Sequence, residues 1–194
     1  MPSTLEVIVG PMFAGKTEEL IRRIKRELIA HRKVRVIKPI EDTRTEAFIA
    51  SRALDATGTS VIVERYEAVV IATEDDLELA LKESADMIAF SEGQFLPAWV
   101  PARIRKLLHD RVEDELIVVV EGLDLDYRLE PFGPMPEFLA MADSVLKLDA
   151  ICMECHRKGA RFTQRVRGTL DTVQPGDRGS YEVRCRKCHT IFTG

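Results

Sequence analysis

The amino-acid sequence predicts an α/β fold, with a parallel β-sheet covered by helices on both faces. Short apolar runs of strand length alternate along the chain with stretches of helical periodicity. The first of these runs passes directly into a glycine-containing segment that a helical pattern follows. The predicted strands are Thr4–Val9, Val34–Ile37, Ser60–Val63, Met87–Phe90, Leu116–Val120 and Val145–Leu148.

Three helices are predicted between these strands. The first runs from Thr17 to His31. Thr73 and Asp76 form a capping pattern for a second helix that continues through Ser84. A third spans Pro97 to Val112, with prolines near its start. In the first two helices, the residues that recur at helical spacing on one face are Leu20, Ile21, Ile24, Leu28, Leu77 and Leu81.

The rest of the chain divides into a loop and a cysteine-containing end. The stretch from Ile40 to Gly58 has no clean period and is predicted to be a loop. All four cysteines lie after Ala150. We therefore expect a domain boundary near Asp149, which separates an α/β domain at 1–149 from a smaller domain at 150–194.

The composition is typical of a globular protein, with 45% hydrophobic and 31% charged residues. The net charge of −4 argues against a protein that binds nucleic acid over its whole surface. Residues 151–194 carry nine Lys and Arg against four Asp and Glu, so this end is formally +5 and the rest −9. No apolar run approaches the roughly 18 residues of a membrane span, and no secretory signal is recognisable. We expect a cytoplasmic protein without a membrane partner.

The segment after the first strand reads GPMFAGKT and fits the pattern G-x-x-x-x-G-K-[ST] of a phosphate-binding loop. Glycines allow the backbone to wrap closely, so that successive N–H groups can point at phosphate oxygens. The lysine can reach the outer phosphates, and the threonine hydroxyl can bind Mg²⁺. The sequence therefore predicts a protein that uses a nucleoside triphosphate and Mg²⁺. The nucleotide-binding candidates are Gly10, Pro11, Met12, Phe13, Ala14, Gly15, Lys16 and Thr17.

The cysteines form two C-x-x-C pairs, Cys152 with Cys155 and Cys185 with Cys188. Two such pairs can supply four thiolates to one tetrahedral zinc ion, and a site closed by four sulfurs is structural rather than catalytic. Two disulfides or unpaired thiols are the alternatives, although the reducing compartment where an ATP user works disfavours disulfides. A zinc ion here would tie together the ends of a long insertion, which could then fold over a ligand as a lid.

Several segments together resemble the zinc-containing, cellular and poxvirus-like type of the thymidine kinase family. They are GPMFAGKT, EELIRR, SEGQF, GLDLDYRLEPFG and SYEVRCRKC, in family order along nearly the whole chain. The resemblance implies a RecA-like domain that binds ATP and Mg²⁺, and a small zinc domain whose loop, the lasso, closes over the nucleoside. It also implies transfer of the γ-phosphate of ATP to the 5′-hydroxyl of thymidine, a homotetramer, and inhibition by the end-product triphosphate.

The resemblance also implies roles for individual residues. Glu92 corresponds to the general base, and its position after a predicted strand fits the sheet edge where ligands bind. Arg44 corresponds to a phosphate contact. The nucleoside pocket would be formed by Met12, Phe95, Leu123, Tyr127, Thr163 and Tyr181, with lasso backbone groups around Val173 and Gly176.

Ser91 departs from the family pattern, which has an aspartate that helps to hold Mg²⁺. A serine hydroxyl can still bind a metal-bound water, but one negative charge is lost beside the ion. Glu121 directly follows the strand Leu116–Val120, and this strand could neighbour Met87–Phe90. We therefore expect that the carboxylate of Glu121 could approach the same metal.

Two other functions stay open at this point. A nucleic-acid-dependent ATPase with a zinc ribbon would fit the phosphate loop and the basic end, although the chain is short and acidic overall. A catalytically weakened relative that binds nucleotides without transferring phosphate would fit Ser91.

Overall fold

A computed structural model describes residues 1–43, 47–54, 60–172 and 179–194. The strands are β1 (Thr4–Val9), β2 (Val34–Pro39), β3 (Phe48–Leu54), β4 (Ser60–Glu67), β5 (Val69–Ile71), β6 (Met87–Phe90), β7 (Ile117–Gly122), β8 (Ser144–Lys147), β9 (Phe162–Arg165) and β10 (Tyr181–Arg184). Six of them form the main sheet, all parallel, in the order β5-β2-β6-β7-β1-β8. This sheet and its helices confirm the predicted fold class.

The central strands are buried on both faces, which explains their continuous apolar sequences. In β7, Val120 is paired with Val7 of β1 on one side and with Phe90 of β6 on the other. All three residues are completely buried. Because the three strands are parallel and in register, the segments that follow them meet at one edge of the sheet.

Helices cover both faces of the sheet. They are α1 (Lys16–Ile29), α2 (Glu74–Leu81), α3 (Val100–Asp110) and α4 (Met135–Met141). Helix α1 covers one face of the sheet with its buried residues Leu20, Ile21 and Ile24. Helices α2, α3 and α4 pack on the other face. Leu28 is 43% exposed, contrary to the prediction, because it lies in the final turn of α1, where the described residues do not cover it.

The predicted start of α2 is confirmed in detail. The Thr73 hydroxyl accepts a hydrogen bond from the Asp76 N–H at 3.2 Å, and Asp76 Oδ2 accepts one from the Thr73 N–H at 2.9 Å. This reciprocal pair satisfies two N–H groups that the first helical turn would leave without partners.

The prediction of a loop from Ile40 to Gly58 was wrong, because β3 lies within it. Strand β3 pairs with β4 in an antiparallel hairpin outside the main sheet. The hairpin packs on α1 through the buried Ile49, with Tyr66 partly buried in the same cluster. A two-stranded hairpin that buries one face needs few apolar residues. The local sequence therefore lacked the long apolar run that revealed the central strands.

The cysteine-containing end forms its own small hairpin, in which β9 and β10 pair antiparallel. A separate cluster of buried residues, Cys152, Ala160 and Val183, lies beside it. Neither strand was predicted, nor were β5 and α4, since all four are short.

The division of the chain near Asp149 stays a prediction. Among the described residues, no helix is both long enough and apolar enough to cross a membrane.

The loop after β7 is pressed against the 3₁₀ turn Gly93–Phe95 that follows β6. A Cβ atom added to Gly122 would lie 2.6 Å from Gln94 Oε1. At Gly133 it would lie 2.0 Å from the Gln94 carbonyl oxygen, and the φ angle there is +52°. Only glycine permits this close approach, which holds the 3₁₀ turn against the end of β7.

Candidate active site and metal centre

The carboxyl ends of β1, β6 and β7 bring the main candidate residues together. The phosphate loop follows β1, Ser91 and Glu92 follow β6, and Glu121 lies near the end of β7. Glu92 is 8% exposed and Glu121 is completely buried, so charged groups that sequence statistics place at the surface are enclosed here.

The phosphate loop has the backbone that its sequence predicts. Gly15 precedes α1 with a φ of 82° and has no side chain to cap the helix, which leaves the first-turn N–H groups for an anion. Phe13 also has a positive φ, of 63°. The buried Lys16 donates from Nζ to the Pro11 carbonyl at 3.0 Å, so the lysine folds back over the loop.

Glu92 is held in an uncommon conformation, with φ 54° and ψ 48°. Such angles are costly for a residue other than glycine and concentrate at functional sites. Gln94 Nε2 donates to Glu92 Oε2 at 2.6 Å, and Gln94 Oε1 accepts from the Leu123 N–H at 2.8 Å. Gln94 thereby orients the Glu92 carboxylate from a fixed point on the loop after β7.

Sequence reasoning assigned no role to Gln94. The available signal was its place in the SEGQF segment, two residues after the candidate base.

Glu121 interacts with groups on both neighbouring strands. Its Oε1 accepts hydrogen bonds from the Ser91 hydroxyl at 2.7 Å, from the Glu92 N–H at 3.3 Å and from the Thr17 hydroxyl at 3.4 Å. Burial, together with the nearby charge of Glu92, raises the pKa of Glu121 to about 7, although Lys16 and the hydrogen bond from Ser91 oppose that rise. The predicted proximity of Glu121 to Ser91 is thus present.

The six described candidates for the nucleoside pocket fall into smaller groups. The Met12 N–H donates to the Thr163 hydroxyl of β9 at 3.1 Å, which joins the phosphate loop to the C-terminal hairpin. Phe95 packs edge-on against Phe132, with ring centroids 5.5 Å apart. Leu123 is tied to the same region through its N–H bond to Gln94.

Tyr127 and Tyr181 meet through Arg165, which sequence reasoning missed. The guanidinium lies 3.9 Å from the centre of the Tyr127 ring and donates from Nη2 to the Tyr181 hydroxyl at 2.6 Å. Arg165 is completely buried. An arginine in the segment RFTQRV gives no sequence signal of burial, because most arginines are exposed.

Arg165 also binds residues 169–172 of the loop after β9, where the predicted lasso begins. Its Nη1 donates to the carbonyls of Thr169, at 2.7 Å, and Asp171, and its Nη2 donates to that of Thr172 at 3.3 Å. The Tyr127 hydroxyl donates to the Leu170 carbonyl at 2.8 Å. The predicted contacts Arg44, Val173 and Gly176 lie outside the described residues.

Sequence reasoning also missed a buried ion pair. Lys38, at the end of β2, lies 3.1 Å from Asp42, and their side chains are 1% and 6% exposed. Asp42 lies just before the undescribed residues that include Arg44. Buried charges need partners, so this pair fixes the backbone that enters that segment.

The four cysteines form one cluster, as the zinc prediction requires. No disulfide joins them, and their sulfurs all lie within 4.8 Å of one another. The sulfurs of Cys155 and Cys185 are 3.8 Å apart, which is about the separation expected for two thiolates bound to one tetrahedral zinc ion. Each pair is folded as a tight turn, in which His156 and His189 donate from the backbone N–H to Cys152 and Cys185. These residues fit a structural zinc ion.

Comparison with known proteins agrees with this geometry. Residues 3–189 match the family described as thymidine kinase. The chain belongs to the thymidine kinase family. A protein named thymidine kinase from Deinococcus deserti (strain DSM 17065 / CIP 109153 / LMG 22923 / VCD115) is 40% identical over 195 residues, which cover 96% of this chain and 94% of that protein. The cysteine cluster fits the zinc-containing type of thymidine kinase.

Zinc removal is expected to destabilise this thymidine kinase family member. We predict about one zinc per chain by elemental analysis. Cys155→Ser should lose the metal and lower Tm by about 6–12 °C, if the lost site is worth about 3 kcal/mol. Treatment with a thiol-compatible chelator should have the same effect, and one equivalent of zinc should reverse it only in the unsubstituted protein. A zinc-free preparation with unchanged Tm would contradict the prediction.

Glu121→Gln is expected to stabilise the metal-free, nucleotide-free protein at alkaline pH. Glu121 ionises near pH 4.5 in the unfolded chain but near pH 7 in the folded protein. Between these values the unfolded state binds fewer protons, so the free energy of unfolding falls as pH rises. Glutamine removes this loss, which approaches about 3 kcal/mol near pH 8.

Urea unfolding at about pH 5 and about pH 8 measures this difference. The control is Glu113→Gln, which changes an exposed glutamate beyond the opposite end of β7. Equal effects of Glu121→Gln at both pH values would show that the buried carboxyl is not destabilising.

Proposed function

We propose that the chain transfers the γ-phosphate of ATP to the 5′-hydroxyl of thymidine to give dTMP, with deoxyuridine as a slower substrate. The observation that carries this proposal is the buried Glu92 carboxylate, oriented by Gln94 at the same sheet edge as the phosphate loop. An oriented carboxylate could position either a substrate hydroxyl or a water molecule, and the thymidine kinase family favours the hydroxyl. The family match and the thymidine kinase from Deinococcus deserti support the choice of nucleoside.

In this proposal the phosphate loop binds ATP. The N–H groups of Gly10 to Thr17 surround the phosphates, and Lys16 leaves the Pro11 carbonyl to bind their outer oxygens. Arg44 contributes a further cationic contact. Mg²⁺ would neutralise the charge on the phosphates. The hydroxyls of Thr17 and Ser91 are among the oxygens that would hold it.

Glu92 acts as the general base for the nucleoside. Phosphoryl transfer demands little covalent assistance, so the carboxylate mainly orients the 5′-hydroxyl and accepts its proton late. Gln94 keeps the Glu92 carboxylate in one orientation, and the strained backbone at Glu92 aims the side chain away from the regular strand direction. Positioning of this kind lowers the barrier by removing the entropy cost of alignment.

The nucleoside pocket distinguishes thymidine by its polar edge and its methyl group. Lasso backbone groups around Val173 and Gly176 would hydrogen-bond the edge of the base, which penalises bases that leave them unpaired. The surrounding walls would contact the methyl group of thymine. Loss of that methyl costs roughly 1–3 kcal/mol, which makes deoxyuridine a weaker substrate. The proposed walls are Met12, Phe95, Leu123, Tyr127, Thr163 and Tyr181.

The wider setting is also part of the proposal and rests on the family resemblance. We propose a cytoplasmic homotetramer that the end-product triphosphate inhibits. We propose neither nucleic acid nor membrane as a partner. Consumption of ATP and four unpaired cysteines agree with a reducing, ATP-rich compartment.

The kinase proposal predicts thymidine-selective phosphorylation by the zinc-replete protein. Transfer from ATP with Mg²⁺ would be measured with thymidine, deoxyuridine, deoxycytidine and deoxyguanosine. Glu92→Gln should lower kcat about 10²-fold or more, because the proton acceptor is lost while the shape is kept. The matched control is Glu137→Gln, an exposed glutamate on α4, which should leave kcat unchanged.

Other outcomes of this assay would identify the alternatives. ATP hydrolysis that single-stranded DNA stimulates and thymidine does not would indicate a nucleic-acid-dependent ATPase. ATP binding without transfer to any nucleoside would indicate a catalytically weakened relative.

Arg165 is expected to act as a positioning residue for the nucleoside pocket. Arg165→Lys removes the planar guanidinium that contacts Tyr127, Tyr181 and three carbonyls at the start of the lasso. We predict that KM for thymidine rises at least about tenfold, since several hydrogen bonds from a charged donor are lost, while KM for ATP changes less than about twofold. Arg167→Lys, at a nearby exposed arginine, is the control. Equal rises in both KM values would indicate a general distortion of the active site instead, and a lower apparent kcat with unchanged KM values would indicate partial unfolding.

A further inference from the structure

Glu121 is the one charged residue of β7, whose other residues are apolar. The strand lies at the centre of the site, and the two residues that precede Glu121, Val119 and Val120, are completely buried, as Glu121 itself is. The carboxylate has no partner cation within 4 Å among the described residues, and Lys16 donates instead to the Pro11 carbonyl. Within residues 1–43, 47–54, 60–172 and 179–194, no ion pair therefore stabilises this buried carboxylate.

The two oxygens of this carboxylate have different surroundings. Oε1 accepts the three hydrogen bonds from Thr17, Ser91 and Glu92. Oε2 is buried and accepts none from the part of the chain that the structure describes. A buried oxygen without a donor costs free energy, of the order of 1–3 kcal/mol. An apolar residue at 121 would avoid that cost, so the carboxylate has a use beyond stability.

We propose that Glu121 is a protein ligand of the Mg²⁺ that accompanies ATP, and that it supplies the negative charge absent from Ser91. Mg²⁺ prefers oxygen ligands, and proteins commonly hold it with one or two carboxylates together with phosphates. In phosphate-loop proteins the partners are the loop Ser or Thr and an acidic residue from a strand. Thr17 and Glu121 provide this combination of groups, with their oxygens 3.4 Å apart.

The proposal separates the tasks of the two buried glutamates. Glu92 accepts a hydrogen bond from Gln94, whose other side-chain atom is bound to the loop after β7, whereas the hydrogen bonds to Glu121 come from the phosphate loop and the end of β6. Ser91 is then a positioning residue, because its hydroxyl donates to Oε1 at 2.7 Å and fixes the carboxylate. This division rests on the proposed phosphoryl transfer.

The pairing of β6 with β7 suggests a decisive substitution. Because Ser91 Oγ lies 2.7 Å from Glu121 Oε1, a carboxylate placed at residue 91 would reach the same small volume. Glu121→Gln should therefore weaken metal binding, and Ser91→Asp in the same chain should restore it. Glu113→Gln, exposed and at the opposite end of β7, is the matched control.

Metal binding can be measured without turnover. Mn²⁺ would be titrated into the full-length, zinc-replete protein with a non-hydrolysable ATP analogue, and free Mn²⁺ followed by electron paramagnetic resonance. We expect Glu121→Gln to weaken Mn²⁺ binding at least about tenfold, Glu121→Gln with Ser91→Asp to recover most of that loss, and Glu113→Gln to bind as the unsubstituted protein does. The analogue alone, measured in buffer without added Mg²⁺ or Mn²⁺ so that the structural zinc is kept, should bind all four proteins similarly.

Each contrary result has a definite meaning. Unchanged Mn²⁺ affinity in Glu121→Gln overturns the proposal, and so does a loss that Ser91→Asp fails to restore. Equal weakening of the metal-free analogue would also overturn it, because the phosphate loop itself would then be damaged. Metal binding through Glu121 in a protein that phosphorylates no nucleoside would sustain this inference and refute the kinase proposal. Normal thymidine phosphorylation, with a metal affinity that Glu121→Gln leaves unchanged, would refute this inference and sustain the kinase proposal.

Discussion

Strand β7 lies between β1 and β6 in a sheet whose strands all run in the same direction, and the site depends on this arrangement. The pairing of Val120 with both Val7 and Phe90 sets where each neighbouring strand ends. A shift by one residue would turn every side chain of β7 to the other face. Because β7 is buried on both faces, such a shift would cost much free energy. The apolar core therefore fixes the positions of the polar groups at the ends of these strands, such as Ser91 and Glu121.

Much of this core could be predicted from the sequence, because a buried parallel strand is itself a continuous apolar run. The phosphate loop was equally accessible, since its residues are contiguous. Strand order is different, because Glu121 and Ser91 become neighbours through a pairing across thirty residues of chain. In the β3–β4 hairpin, β4 contains the predicted strand Ser60–Val63, whereas β3 was missed for a local reason: Phe48 and Ile49 are followed by small and charged residues without a clear period.

Buried charges were the least predictable part of the site. Arg165 and Lys38 are almost completely enclosed, yet a charged residue in a sequence predicts exposure. Their burial becomes favourable only through particular partners: tyrosine rings and lasso carbonyls for Arg165, and Asp42 for Lys38. Such partners are distributed over loops whose paths depend on the finished fold. The family resemblance could indicate which residues matter there, but it could not supply these contacts.

The hydrogen bond from the Met12 N–H to the Thr163 hydroxyl joins the phosphate loop to the C-terminal hairpin, the two parts of the chain where ATP and the nucleoside are proposed to bind. Met12 belongs to the loop that receives phosphates, and Thr163 belongs to the hairpin that carries the lasso. A ligand that moves one of these groups changes the energy of the other. By thermodynamic linkage, the help that the first substrate gives to the second must equal the help it receives in return. If ATP and thymidine bind at these two places as proposed, the bond makes the affinity for each substrate depend on whether the other is bound.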